Sequence, residues 1–243
     1  MKVQSDQAPL VLVDGHNLLW RAYYGFPARI KTRAGEDRTG VFGFFALLRV
    51  ALREVSPPAE CVACFDGEYG ATERQKLYPD YKRNRQDVDV TPIKSLPHVL
   101  AGLDRVGVRW FYSDDQEADD VIATLVAREP ARRTFIMSGD RDFYQLVSDH
   151  VSVLNTRLKS GRRIVGQGDI RERYGVSPAQ WCDYRALTGD ASDEIAGVPG
   201  VGPVRAMRLL AEGATLEGLS ADVRLPRNVT RWMEDATNWN AVL

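Results

Sequence analysis

Leu10-Val-Leu-Val-Asp14 is a run of four apolar residues closed by a carboxylate. Its shortness, β-branched content and lack of alternation fit a strand buried on both faces. Three further runs repeat the form: Cys61 to Asp66, Val108-Arg-Trp-Phe-Tyr112 and Arg133-Thr-Phe-Ile-Met-Ser138. Between them lie helical patterns. Val41 to Val55 ends at Ser56-Pro-Pro58, Ile93 to Val106 is started or kinked by Pro97, and Glu117 to Arg128 follows the third run. Strands separated by helices make βαβ units and a mostly parallel sheet. Val151 to Asn155 and Arg162 to Val165 add a further strand or a hairpin, and from Asp169 onward the pattern is helical only. The expected class is α/β, a mostly parallel sheet flanked by helices over residues 1–165, followed by a helical region over 166–243.

The composition is ordinary for a globular chain: 243 residues, 44% hydrophobic and 27% charged, which excludes wholesale disorder and collagen-like structure. Lys and Arg number 32 against 33 Asp and Glu, so any basic surface must be local. No apolar run is long enough for a membrane span, and the first residues lack the apolar core of a signal peptide, so no membrane partner and a cytoplasmic location are expected. Three cysteines favour a reducing compartment over a disulfide framework. Cys61 and Cys64 form a CxxC, yet they sit inside a strand with no second Cys/His pair nearby, and read as core residues. His16, His98 and His150 are the only histidines, so no Ser/His/Asp set competes for the chemistry; His16, next to Asp14, reads as a loop support.

The acids carry the most information. Asp14 ends the first strand and Asp66 the second; Glu117, Asp119 and Asp120 open the helix after the third; Asp140 and Asp142 follow the fourth. In a parallel sheet these ends share one edge, where open α/β folds place their sites. Asp190 and Asp193 follow in Gly189-Asp-Ala-Ser-Asp193. An Asp at a helix start is usually a cap, and an Asp after a strand a turn former, so one position alone means little. Four acid-bearing strand ends on one edge are not explained as turns. They need a counter-ion, and Mg²⁺ or Mn²⁺ suits carboxylate oxygens. Two ions held by carboxylates are the usual apparatus for in-line attack of water on a phosphodiester.

Cations for a phosphate lie in Thr72 to Arg85, where Arg74, Lys76, Lys82, Arg83 and Arg85 are interleaved with Tyr78 and Tyr81. This is the composition of a single-strand grip, or else of a solvated helix with a tyrosine or two packed inward. A second signal is Gly197-Val-Pro-Gly-Val-Gly-Pro203, with Arg205 just beyond. A Gly-x-Gly turn before a helix exposes backbone N–H groups to a phosphate, or simply joins two helices.

In this order the pieces resemble the structure-specific 5′-nucleases: flap endonucleases, phage 5′-exonucleases and the N-terminal nuclease domain of bacterial DNA polymerase I. The matching segments are Leu12-Val-Asp-Gly15, Phe65-Asp66, Tyr78-Pro-Asp-Tyr-Lys-Arg-Asn-Arg85, Glu117-Ala-Asp-Asp120, Ser138-Gly-Asp-Arg-Asp142 and Leu187 to Asp193 with the glycine loop. The resemblance implies a PIN-like fold with a helical arch or clamp at about 70–100. It also implies a helix-three-turn-helix element at about 185–212. Asp14, Asp66, Glu117, Asp119 and Asp140 would serve mainly a first Mg²⁺ or Mn²⁺, and Asp120, Asp142, Asp190 and Asp193 mainly a second. Lys82 and Arg85 would steady the scissile phosphate, and Tyr81 would stack on a base. Arg74, Arg83, Arg205, Gly200 and Gly202 would contact DNA, with a K⁺ ion at the helix-three-turn-helix. Implied substrates are DNA 5′ ends and flaps, including RNA-primed DNA; for the oligomeric state a monomer is the default expectation.

Two positions depart from the family pattern: Glu194 stands where Asn is usual, and Val204 where a Lys often follows the turn. The chain stops at Leu243 with no polymerase attached, which reads as a stand-alone nuclease. Two alternatives stay open: a PIN-type ribonuclease, disfavoured by the length and the glycine element, and a junction-binding module without catalysis, disfavoured by the intact acid set.

Overall fold

The computed structural model describes residues 7–56, 58–83, 90–220 and 226–234. The backbone divides into two compact units, Met1–Gly70 with Asp89–Gly166, and Ala71–Val88 with Gln167–Leu243.

In the first unit, β1 (Leu10–Asp14), β2 (Glu60–Phe65), β3 (Arg109–Tyr112), β4 (Thr134–Met137), β5 (Val151–Leu154) and β6 (Ile164–Val165) form one six-stranded sheet in the order β3-β2-β1-β4-β5-β6. All pairs are parallel except β5 with β6, so the ambiguous last strands resolve as an antiparallel pair. β1 is central and buried along its whole length, which is why its sequence does not alternate. β3 is the opposite case. It ends the sheet and is exposed throughout, so Trp110, Phe111 and Tyr112 are edge residues rather than core.

Successive strands run one way from β1 to β3 and the other way from β4 outward. The switch falls at β1 and β4, where such sheets place their ligands. The helices of this unit are α1 (Gly15–Gly25) and α2 (Thr39–Glu54), then, after α3 (Thr72–Leu77) of the second unit, α4 (Leu96–Arg105) and α5 (Ala118–Arg128). Leu19, Phe44, Phe65, Leu103 and Phe135 are fully or almost fully buried in its core. Pro97 lies in the first turn of α4, where its missing N–H has no helical partner to lose. Cys61 and Cys64 lie on β2 with thiols pushed up to about 12 by burial. They are protonated core groups, not nucleophiles.

The second unit holds α3 with α6 (Gln167–Tyr174), α7 (Trp181–Thr188), α8 (Pro203–Leu209), α9 (Leu216–Ser220) and α10 (Arg227–Met233). Its centre is an aromatic group in which Trp181 packs edge-on to Tyr174 at 4.9 Å and stacks on Tyr184 at 5.3 Å. The segment expected as an arch attached to the α/β core is divided. Residues 71–88 group with the helical unit, where Tyr78 and Lys82 bond to carbonyls of the 190–195 turn. Among the described residues no helix is long and apolar enough to cross a membrane.

Candidate functional site

The first unit gathers carboxylates by a chain of short polar contacts. Asp14 caps α1, accepting the Asn17 N–H at 3.1 Å through one oxygen and the Ser138 hydroxyl at 2.7 Å through the other. The Ser138 oxygen in turn accepts the Asp140 N–H at 2.9 Å, and Asp140 accepts the Asp142 N–H at 2.9 Å. One serine thus couples the end of β1 to the turn after β4. On the other side Asp66, just past β2, accepts the Ala118 N–H at 2.8 Å, which fixes the start of α5. Glu117 is the N-cap residue of α5 and is buried, and Asp119 and Asp120 lie in its first turn. Gly15 is required at the β1–α1 junction: a Cβ there would meet the Phe65 ring at 2.4 Å and the Cys64 carbonyl at 2.8 Å.

The electrostatics follow from this crowding. The Asp14 carboxyl is pushed up to about 7, first by burial and then by the negative charge of Asp66, with Asp140 adding to it. Its two hydrogen bonds oppose the shift without cancelling it. His16 does not supply the missing charge. Its Nδ1 accepts the Asp66 N–H at 2.9 Å, and burial lowers its pKa, so the ring is neutral although Nδ1 lies 3.3 Å from an Asp66 oxygen. Among the described residues Asp14, Asp66 and Asp140 have no cationic partner. Oxygen donors fixed by N–H and O–H groups, mutually repelling and unpaired, suit a hard divalent cation.

The second unit holds the other acids and the basic segment. Asp190 and Asp193 sit in the turn after α7. Asp190 accepts Ser192 N–H at 2.8 Å and Ser192 hydroxyl at 2.5 Å, and it is ion-paired with Arg185. The carbonyl of Asp193 accepts the Lys82 N–H at 3.2 Å, and the carbonyl of Glu194 accepts the Tyr78 hydroxyl at 3.3 Å. Arg83 pairs with Asp80 at 2.7 Å and reaches Glu194 at 3.6 Å. Lys82 and Glu194 both have left-handed backbone, φ 55° and 60°, an uncommon state for residues with a side chain.

Tyr81 is a correction to its expected role. Its ring is only 8% exposed, with the Lys82 ammonium 4.8 Å from its centroid, so it packs inward rather than presenting a free face to a base. Arg74 lies in the last turn of α3. Gly200 has φ 77° and needs glycine, whereas Gly202 is extended, caps α8 and has open space where a Cβ would go. Arg205 donates to the Gly200 carbonyl at 3.2 Å. Arg85 lies outside the described residues.

Residues 9–175 match the 5′-3′ exonuclease N-terminal resolvase-like domain, and residues 176–238 the 5′-3′ exonuclease C-terminal SAM fold. The chain belongs to the 5′-3′ exonuclease family. It is 39% identical over 212 residues to the thermostable DNA polymerase I of Thermus filiformis, covering 86% of this chain and 24% of that protein. It is 37% identical over 210 residues to the DNA polymerase I of Deinococcus radiodurans, covering 86% and 21%. The chain therefore spans about a quarter of the length of these relatives. Among solved structures, T5 5′-exonuclease with bound zinc aligns with a TM-score of 0.76 at 21% identity, covering 96% of this chain and 88% of that one. The catalytic core of Rad2 with DNA substrate aligns at 0.58 and 18% identity, covering 96% and 64%. The fold is that of T5 5′-exonuclease.

Within this 5′-3′ exonuclease chain two supporting residues had escaped the sequence reading. Ser138 stands in a quoted motif, but only the fold shows it bridging two acids. Asn17 accepts the Gly139 N–H at 3.1 Å, tying α1 to the acidic turn. A polar residue one turn into a helix that begins at a strand-end acid was the available signal. Glu194 has a left-handed backbone, a state that Asn adopts more readily than Glu.

Proposed function

We propose that the chain is a divalent-metal-dependent 5′-nuclease that hydrolyses phosphodiesters at DNA 5′ ends and flaps, RNA-primed ends included, as a cytoplasmic monomer. The carrying observation is the Asp14–Ser138–Asp140 relay with Asp66 alongside: fixed carboxylates whose repulsion no described cationic partner offsets. Asp14, Asp66, Glu117, Asp119 and Asp140 are assigned to a first ion, and Asp120, Asp142, Asp190 and Asp193 to a second, with Mg²⁺ or Mn²⁺ the ions of choice. When bound, such ions supply Lewis acidity at the attacking water and at the leaving oxygen.

The chain's own residues do the rest. Ser138 and the backbone N–H groups orient the carboxylates, so little reorganisation remains at the moment of reaction. Lys82, with Arg85, is assigned to the charge on the scissile phosphate. Support comes from the left-handed backbone of Lys82 and its N–H bond to Asp193, which spend strain energy on one orientation. Gly200, Gly202 and Arg205 are assigned to duplex phosphates. A K⁺ ion is assigned to the helix-three-turn-helix element, where the carbonyls of Pro199 and Gly200 each accept one hydrogen bond, from Asn228 and Arg205, and keep a second lone pair.

The test is cleavage of a 5′-labelled flap. The expected result is a short 5′ product with Mg²⁺ and none with EDTA. Preference for a single-stranded RNA would favour the ribonuclease reading. Tight flap binding with no cleavage under any divalent ion would favour a junction-binding module.

A further inference from the structure

We propose that Arg21, Arg157 and the Thr156 hydroxyl form a phosphate-binding site beside the Asp140 turn, which grips a phosphate of the nucleic-acid substrate. The site rests on the nuclease reading above and adds residues that reading does not use. Three elements of the first unit meet there. Asn17 and Arg21 lie four residues apart on one face of α1. Arg21 Nη1 donates to the Thr156 hydroxyl at 2.6 Å, in the turn after β5. Asn17 holds the Gly139 N–H, and a Cβ on Gly139 would stand 3.3 Å from both Asn17 Oδ1 and Arg157 Nε. The Arg157 guanidinium therefore lies over the glycine that immediately precedes Asp140.

The charges at this spot are unbalanced. Arg21 is partly buried, and its pKa is held down to about 10 by burial and by the repulsion of Arg157 and Arg163. Arg163 is ion-paired with Glu54. Among the described residues neither Arg21 nor Arg157 has an acidic partner. Two adjacent guanidinium groups, one half-buried, repel each other, and an anion between them would remove the conflict. Guanidinium forks match phosphate oxygens in geometry, and the Thr156 hydroxyl, whose oxygen accepts from Arg21, has its own O–H to offer as a third donor. A phosphate here would sit next to the acidic turn, as a strand passing the site must place one. The competing explanation is that the arginines only offset the acids, and the two differ in what they predict for binding.

The experiment is binding of a labelled flap in EDTA across a salt series, on the full chain. Arg157→Ala, at an exposed position, and Arg21→Gln should each weaken binding about tenfold or more, as loss of a charged hydrogen bond does. Each should also flatten the plot of log affinity against log salt by about 0.9 per lost phosphate contact. Arg157→Lys should keep the slope. Flaps with and without a 5′-phosphate separate the two sources: equal losses identify an internal diester, and losses confined to the phosphorylated flap identify the terminal group. Unchanged slope and affinity, or lost affinity with an unchanged slope, overturns the site. An altered Mg²⁺ requirement alongside an unchanged slope assigns the arginines to offsetting the acids. If wild-type protein itself fails to bind DNA, the nuclease reading falls, a failure distinct from normal binding by the variants.

Discussion

Asp140 and Asp190 make the same local turn and keep different company. Each follows a glycine, and each accepts the N–H two residues on, at 2.9 Å from Asp142 and 2.8 Å from Ser192. Around Asp140 stand other acids and, over the preceding Gly139, the Arg157 guanidinium, but no described cation pairs with it. Around Asp190 an arginine is already in place. The backbone motif is thus indifferent to charge, and the tertiary neighbours decide whether a carboxylate is poised for an ion or already neutralised. In the first unit Asp14, Asp66 and Asp140 have no described cationic partner, whereas an ion reaching Asp190 would share that carboxylate with Arg185.

The largest expected effect follows from that asymmetry. Asp140→Asn should reduce single-turnover cleavage by about a thousandfold, equivalent to roughly 4 kcal/mol of barrier. Ser138→Ala should weaken the Mg²⁺ requirement curve by about ten- to hundredfold, the usual scale for a group that orients a metal ligand. Arg185→Ala should leave the Mg²⁺ midpoint unchanged or lower it, because it frees Asp190. A higher midpoint would mean that Arg185 helps to build the site, and the contrast between the two turns would collapse.

Tyr81 tests whether the second region is packed rather than open. Its ring is buried, so Tyr81→Ala should cost about 3 kcal/mol of stability, as large aromatic truncations do, read from denaturant midpoints. Tyr81→Phe should retain most of that. If Tyr81→Ala melts like wild type but loses flap affinity, the ring leaves its pocket to meet a base.

The strands, their order along the chain and the acids at their ends were legible because period, length and residue type are local properties. Asp14, Asp66 and Asp140 could be placed on one edge because parallel strands must end together. What was not legible depended on contacts between distant residues. Tyr81 in a basic segment looks like a stacking platform until the fold buries it. The segment 71–88 reads as part of the α/β core until Tyr78 and Lys82 bond to the carbonyls of Glu194 and Asp193. Ser138, which looks like an ordinary turn residue, bonds a carboxylate 124 positions away.

The raised Asp14 gives the first region a pH signature. Its ordinary value of 3.8 applies to the unfolded chain and about 7 to the fold. Between those values the folded, metal-free protein keeps a proton that the unfolded chain has released. The contribution is therefore full below about pH 4 and is lost as pH rises through 7, on the order of a few kcal/mol. Melting in EDTA should show stability falling across this window, and Asp14→Asn should flatten it. Substitutions in the two turns should act with opposite signs in EDTA at pH 8. Asp140→Asn should raise the melting temperature by relieving repulsion, and Asp190→Asn should lower it by removing the ion pair with Arg185. Equal signs would show that the ion pair is not what distinguishes them.

Glu194 offers the smallest and most local test. Its backbone is left-handed at φ 60°, and a side chain there costs about 1–2 kcal/mol, a strain that Asn bears more readily by bonding to nearby backbone. What Glu194→Asn gives up is a 3.6 Å contact with an Arg83 side chain that is 62% exposed, and exposed pairs of this kind are worth little. The substitution should therefore stabilise the protein by about 0.5–1 kcal/mol, with Glu194→Gly gaining less because glycine loosens the unfolded chain. The Tyr78 bond goes to the backbone carbonyl of residue 194 and should survive both changes. A loss of stability in Glu194→Asn would mean that the carboxylate holds the 78–83 segment in place. The second region would then depend on ion pairing at Glu194 as it does at Asp190, rather than on backbone contacts.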